Sequence, residues 1–342
     1  MVALPGISNA SLAVAALAGS SNHATSSSLA GGSGVLFAQS TVGALTTLLG
    51  SSGLPLLSYP TDLTRGIVPK LCHSHNDYWR DVPLLDAISF GCESVEADIH
   101  LVGGQLLVGH TSDSLSPDRT LQNLYLDPLI EIYKLRNPES ESTGAAQTTP
   151  FYRNWLYDNS RAPLQLLLDF KTDGAELYPH VVDALQPLRD LGLLEYHNET
   201  SANPGYASIY ARPIRITCTG NCPLELVEAQ LPIRDIFFDA PLVNLANGRY
   251  NRAVSAMASA YWDEIAGSWG YKRTNRGQGT KLDKFAELSE LARAQGMSVR
   301  VWDTPSWPHF IRDSVWRDLI TTADPSTLVL INADDLEGIS RL

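Results

Sequence analysis

The stretch PLQLLLDFKTDGAELYPHVVDALQPLRDLG spans residues 163–192. Its first eight residues form a short apolar run of strand length, and the residues from Ala175 to Gly192 carry apolar side chains at helical spacing and stop on glycine. A buried strand followed at once by a helix is the repeating unit of a parallel α/β fold.

The same alternation extends in both directions. Strand candidates are IVPKLCHSH (67–75), ESVEADIHL (93–101), QLLVGH (105–110), PIRITCTG (213–220), DIFFDA (235–240), MSVRVWDT (297–304) and TLVLINA (327–333). Helical stretches lie between them at 82–91, 124–137 and 282–296. With residues 163–170 this makes eight buried strands, most of them followed by a helix, within residues 61–342. That arithmetic predicts an α/β fold of the TIM-type (β/α)8 barrel class. Residues 138–160, rich in Ser, Thr, Pro and Gly, read as a long loop.

Residues 1–60 have a different composition. They are rich in Ala, Ser, Gly, Leu and Thr, and the first charged side chain of the chain is Asp62. This low-complexity N-terminal extension reads as a leader, with membrane association as the second reading. GVLFAQSTVGALTTLLG (34–50) is near the minimum length of a membrane span, yet it carries Gln, Ser and three Thr. Such a leader favours a secreted or membrane-associated protein over an intracellular one. The sequons at Asn9 and Asn198 would be usable in that setting.

Hydrophobic residues make up 44% of the chain and charged residues 18%, enough for a sizeable core. The net charge is −12 and there is no run of Lys or Arg, which argues against nucleic acid as a partner. Four cysteines without a CxxC argue against structural zinc. Cys218 and Cys222 are close enough for a small-loop disulfide, which stays open beside free thiols; Cys72 and Cys92 read as buried thiols.

Active sites of such barrels gather at the C-terminal ends of the strands, and residues i and i+2 of a strand share a face. His73 and His75 end the first strand, Glu96 and Asp98 lie in the second, Asp169 and Lys171 end the fourth, and His110 closes LLVGH. Three carboxylates, Glu96, Asp98 and Asp169, suit a hard divalent cation such as Mg²⁺. Histidines near neutrality supply acid and base, and Lys171 a positive charge for a phosphate oxygen. These are the parts of in-line phosphoryl transfer.

HSHN, GCESVEADIHL, LLVGH, LLLDFKT and VRVWD resemble, in order and character, the PLC-like phosphodiesterase superfamily, which includes glycerophosphodiester phosphodiesterases and sphingomyelinase D toxins. The longer run 72–101 is most similar to the altered inheritance of mitochondria protein 6 branch. The resemblance implies His73, at H-x-x-N spacing from Asn76, as one catalytic histidine and His110 as the other, with Lys171 on the phosphate. It implies Glu96, Asp98 and Asp169 as metal ligands, and His75, Asn76 and Trp302 as substrate contacts. The His-Arg-Gly of glycerophosphodiesterases is absent, while His75 and YWRD are extra. The expected activity is hydrolysis of a phosphodiester, a glycerophosphodiester or phospholipid, with a cyclic phosphate as product where the attacking hydroxyl is the substrate's own. Contact with a membrane surface accompanies a lipid substrate, and Tyr78 and Trp79 would line a headgroup pocket or pack under the loop. Two other readings stand beside it: a lipid- or phosphate-binding barrel without catalysis, and a zinc amidohydrolase, whose His-x-His motif needs further histidines on middle strands.

Overall fold

The computed structural model describes residues 63–136, 155–157, 162–200, 208–266 and 282–342. The expected leader at 1–60 and most of the expected loop at 138–160 lie outside the described residues.

The strands are β1 (Lys70–Ser74), β2 (Cys92–Val102), β3 (Gln105–Val108), β4 (Leu164–Phe170), β5 (Tyr196–Asn198), β6 (Ile209–Tyr210), β7 (Ile214–Gly220), β8 (Ile233–Arg234), β9 (Ile236–Pro241), β10 (Met257–Tyr261), β11 (Ser298–Trp302) and β12 (Val329–Ala333). Eight of them, β1, β2, β4, β7, β9, β10, β11 and β12, pair in parallel and close on themselves through β1 and β2. The helices are α1 (Leu85–Ser89), α2 (Asp127–Arg136), α3 (Gly174–Ala184), α4 (Gln186–Asp190), α5 (Leu224–Ala229), α6 (Trp262–Ala266), α7 (Asp283–Ala294), α8 (His309–Thr322) and α9 (Leu336–Ser340). The fold is a (β/α)8 barrel. Strands β5, β6 and β8 form a small antiparallel sheet. Among the described residues no helix is long and apolar enough to cross a membrane.

The number of barrel strands matches the sequence reading, but their identity differs at one place. QLLVGH is not a barrel strand: β3 turns back at Gly103-Gly104 and pairs antiparallel with β2 at the edge of the sheet. The eighth strand is β10, built on Met-Ala-Ser-Ala-Tyr, which lacks the β-branched run that signals a strand. Ala258 and Ala260 are nevertheless fully buried, and this strand packs against the 3₁₀ turn Leu242–Asn247. Small side chains permit that approach, so tertiary packing overrides a weak local preference.

Within the described region all four cysteines are in disulfides, Cys72–Cys92 and Cys218–Cys222. The reading of Cys72 and Cys92 as thiols is corrected by the bulge that closes the barrel. Lys70 faces Cys92 but His73 faces Ser94, so β1 carries an extra residue there, and the two Cα atoms lie 4.6 Å apart.

Leu167, Met257 and Leu330, on three different strands, make a buried apolar cluster. Farther out, Glu195 is clamped between Arg215 of β7, at 2.8 and 3.1 Å, and Arg252. Burial raises the Glu195 carboxyl, but the two guanidinium groups outweigh it and hold the pKa at about 2.

Two stability predictions follow from these ties. A depressed carboxyl contributes stability that is full above its unfolded pKa and disappears as pH falls through the folded one. Urea unfolding should show the wild type losing about 3 kcal/mol more than Glu195→Gln between about pH 5 and pH 2; equal slopes would refute the buried pair. Replacing Cys72 and Cys92 together by Ala should cost about 3 kcal/mol from the loop they close, read as a lower urea midpoint under non-reducing conditions.

Candidate active site

Strands β2 and β4 bring Glu96, Asp98 and Asp169 together, with one oxygen of each within 4.8 Å of the others. Alternation explains the set, because Glu96 and Asp98 share the inner face of β2 and Asp98 stands beside Asp169 across the β2–β4 ladder. Gly220 on β7 is required by Asp169: a Cβ there would lie 2.0 Å from Asp169 Oδ1, and its φ of +65° already favours glycine.

Glu96 is 3% exposed. Burial pushes its carboxyl up, but the Arg300 guanidinium, 3.4 Å away, and the hydrogen bond from His73 outweigh that and hold it far below the usual carboxylate range. Asp98 is raised by burial and by the nearby Glu96 charge, against the pull of Lys171. Lys171 Nζ sits 2.6 Å from Asp169 Oδ2 and 2.9 Å from Asp98 Oδ2. Burial alone would lower its pKa; the two carboxylates raise it, so it stays cationic.

The other Asp98 oxygen, Oδ1, is buried and has no hydrogen-bond partner among the described residues. An unpaired buried carboxylate oxygen costs about 1–3 kcal/mol or more unless a ligand satisfies it. An all-oxygen donor set with one oxygen left bare fits a hard divalent cation.

The two histidines of the first strand occupy different environments. His73 has no exposed surface; Nδ1 lies 2.7 Å from Ser94 Oγ and Nε2 is 3.3 Å from Glu96 Oε2. Burial and the Arg300 charge push it down to about 4, so it is neutral at pH 7. A proton on Nε2 donated to Glu96 and a Ser94 hydroxyl donated to Nδ1 satisfy both nitrogens. His75 stands at the mouth with 28% of its side chain exposed. Its Nδ1 lies 2.7 Å from Asp334 Oδ1 and its Nε2 is 3.8 Å from Glu96 Oε2. Burial would lower its pKa, but the Asp334 hydrogen bond and the Glu96 charge raise it. His75 therefore stands partly open at the mouth, while His73, the histidine at H-x-x-N spacing from Asn76, is closed off from solvent.

His110 arrives from the β3 arm rather than from a barrel strand. It is half-exposed, with Nδ1 3.1 Å from Asp98 Oδ2. Asn76 caps the turn at φ +46° and accepts, through Oδ1, from the Tyr78 hydroxyl, so its amide is held in the loop behind the site; its backbone N–H donates to Glu96 Oε2. Tyr78 is buried, with its hydroxyl between Asn76 Oδ1 at 2.7 Å and Asp98 Oδ2 at 2.8 Å, so it packs under the loop. Trp79 is 62% exposed and packs on the His110 ring at 5.3 Å. Trp302 lies across the mouth beside Tyr261, ring centroids 4.8 Å apart.

Sequence reasoning passed over Arg300, Asn332 and Asp334. Arg300 shares a face with Trp302, which was already noted, and Asn332 and Asp334 stand at i, i+2 on the run into and past β12, so alternation within VRVWD and LINADD was the available signal. Arg80, in the extra YWRD, fixes the rim by donating to Ser74 Oγ at 3.2 Å and Ala333 O at 3.1 Å. Among the described residues the one group of three or more ligand-type side chains is all carboxylate, with no third histidine extending the His-x-His motif.

A family model described as the AIM6-like phosphodiesterase domain matches residues 61–239. The altered inheritance of mitochondria protein 6 homolog of Arthroderma benhamiae is 37% identical over 299 residues, covering 85% of this chain and 89% of that relative. Altered inheritance of mitochondria protein 6 of Eremothecium gossypii is 34% identical over 317 residues, covering 87% and 77%. Among solved structures, a glycerophosphodiester phosphodiesterase from Parabacteroides distasonis superposes with a TM-score of 0.40 at 12% identity, covering 79% of this chain and 96% of that one. The match over more than half of the chain, together with these relatives, makes the chain a member of the AIM6-like phosphodiesterase family.

Proposed function

We propose that this protein is a divalent-metal-dependent phosphodiesterase whose acid and base are His75 and His110. The observation that carries the reading is the convergence of three carboxylates, a lysine and two half-open imidazoles at one end of the barrel, with Asp98 Oδ1 unpaired at its centre. Glu96, Asp98 and Asp169 would hold the cation, Mg²⁺ by the hardness of the donors. When bound, it would supply charge neutralisation at the phosphate oxygens.

The chain's own groups do the rest. Lys171 Nζ is a fixed positive charge for a non-bridging oxygen, already desolvated and therefore strong. His75 and His110 are each held through Nδ1 by a carboxylate, Asp334 and Asp98, which leaves Nε2 as the working nitrogen. One takes the proton of the attacking hydroxyl and the other delivers a proton to the leaving alkoxide. His73, buried and neutral, orients Glu96 and does not touch substrate. A substrate whose own hydroxyl attacks gives a cyclic phosphate; water gives the open product.

Trp79 in the turn after β1, Trp307 in the β11–α8 loop and Phe310 in the first turn of α8, exposed at 62%, 73% and 70%, support contact with a lipid surface, where Trp side chains are favoured. Two disulfides support an oxidising compartment, so secretion or attachment outside the cytosol is the reading we favour.

Turnover of bis(p-nitrophenyl) phosphate, measured with Mg²⁺ and after chelation, tests the function. Metal-dependent turnover lost in Glu96→Gln is expected; a wild type inactive on this reporter and on a phospholipid panel, while still binding metal, would make the barrel a binding protein. His75→Ala and His110→Ala should each lower kcat by about 10² to 10⁴. His75→Ala at full rate would return the acid/base role to His73.

A further inference from the structure

Strands β5 and β6 lie between α4 and Ile214, the first residue of β7, and β8 runs into the start of β9. Segments that lead from a helix into the start of a barrel strand lie at the N-terminal ends of the strands, so the small sheet sits at the end of the barrel opposite the mouth. The Glu195 N–H, donating to Ile214 O at 2.7 Å, ties it there.

The two faces of this sheet differ. His197 and Arg234, opposite each other on the β5–β8 ladder, are 8% and 5% exposed, whereas the next pair, Asn198 and Ile233, points the other way. Ile233 is 49% exposed, and Leu231, two residues earlier, is 50% exposed. Strand β8 is at the edge of its sheet, where unpaired backbone and open apolar side chains invite another chain.

Asn198 opens the sequon Asn-Glu-Thr, the one sequon among the described residues. Its Oδ1 accepts from the Thr200 backbone N–H at 3.0 Å and from Thr200 Oγ1 at 2.8 Å, which leaves Nδ2 with no hydrogen-bond partner among the described residues. Glu199 and Thr200 are exposed, and the unpaired Nδ2 meets solvent rather than being buried. Cβ atoms of directly opposed residues on paired strands are about 4.5–5.5 Å apart, so a group attached to Asn198 reaches Ile233 at once. The Tyr196 ring on the same face is already stacked on Tyr210 at 4.7 Å and approached by Arg212, so Ile233 and Leu231 are the apolar surface left to cover.

We infer that Asn198 is an N-glycosylation site whose glycan covers the apolar β8 edge at the base of the barrel and leaves the mouth free. The donor is a lipid-pyrophosphate-linked oligosaccharide. Asn198 Nδ2 attacks C1 of its first sugar, the C1–O bond to pyrophosphate breaks, the lipid pyrophosphate leaves, and Nδ2 gives up one proton. The inference rests on the oxidising, secretory compartment that the two disulfides support, and it stands apart from the phosphodiesterase reading.

The test uses the full chain produced in yeast with its own residues 1–60, treated with peptide N-glycosidase and mapped by peptide mass spectrometry. The expected result is an N-glycan on the peptide holding Asn198, kept in Thr200→Ser and in Asn9→Gln and lost in Thr200→Ala and Asn198→Gln. A second arm places a heterologous signal peptide before the chain, so that every copy meets the transferase. An unmodified Asn198 in either arm overturns the inference: in the first the chain does not meet the donor, and in the second the site itself is refused. The covering role is read by light scattering after enzymatic removal of the glycan, which leaves aspartate at that position. Faster self-association than the glycosylated protein, abolished by adding Ile233→Thr, is expected. Equal association of the two forms would overturn the covering role.

Discussion

A carboxylate buried inside a barrel must be paid for in charge, and here Arg300 provides the balance for Glu96. An ionised acid moved out of water without a partner would neutralise by taking up a proton. Arg300 Nη2 at 3.4 Å, with the His73 ring on the other carboxylate oxygen, keeps Glu96 ionised instead. The rest of the mouth depends on that charge. Glu96 in turn raises Asp98 and His75, and it receives the Asn76 backbone N–H that shapes the loop after β1.

Rigidity comes from the closure of the barrel at the same place. The β1–β2 seam carries a bulge and the Cys72–Cys92 disulfide, and Arg80 ties the rim of β1 to the end of β12. Functional groups held on strand ends and locked by a supporting layer keep their geometry better than groups on free loops. His110 is the exception, because it rides on an antiparallel arm and is fixed by Asp98 and the Trp79 ring.

Much of the site was legible because strand alternation is local. His75, Glu96, Asp98, Asp169 and Lys171 converge as the i, i+2 pattern at strand ends predicts. The different depths of the two first-strand histidines were not legible. His73 and His75 share a face, but His73 lies deeper, against Ser94 and Glu96, with no exposed surface. Depth along a barrel axis is set by the stagger of neighbouring strands, and one chain segment carries no record of it.

The sequence by itself determined the barrel class and the chemical inventory of its mouth, since both rest on short-range periodicity and residue type. It could not assign β10, whose small residues become a strand only between two neighbours, nor exclude QLLVGH, whose apolar run suits a hairpin arm as well as a barrel stave. Tertiary structure alone decided the Cys72–Cys92 pair, the Arg300 counter-charge and the bare Asp98 oxygen. Each depends on distances between strands far apart in sequence, and those distances exist only once the barrel has closed.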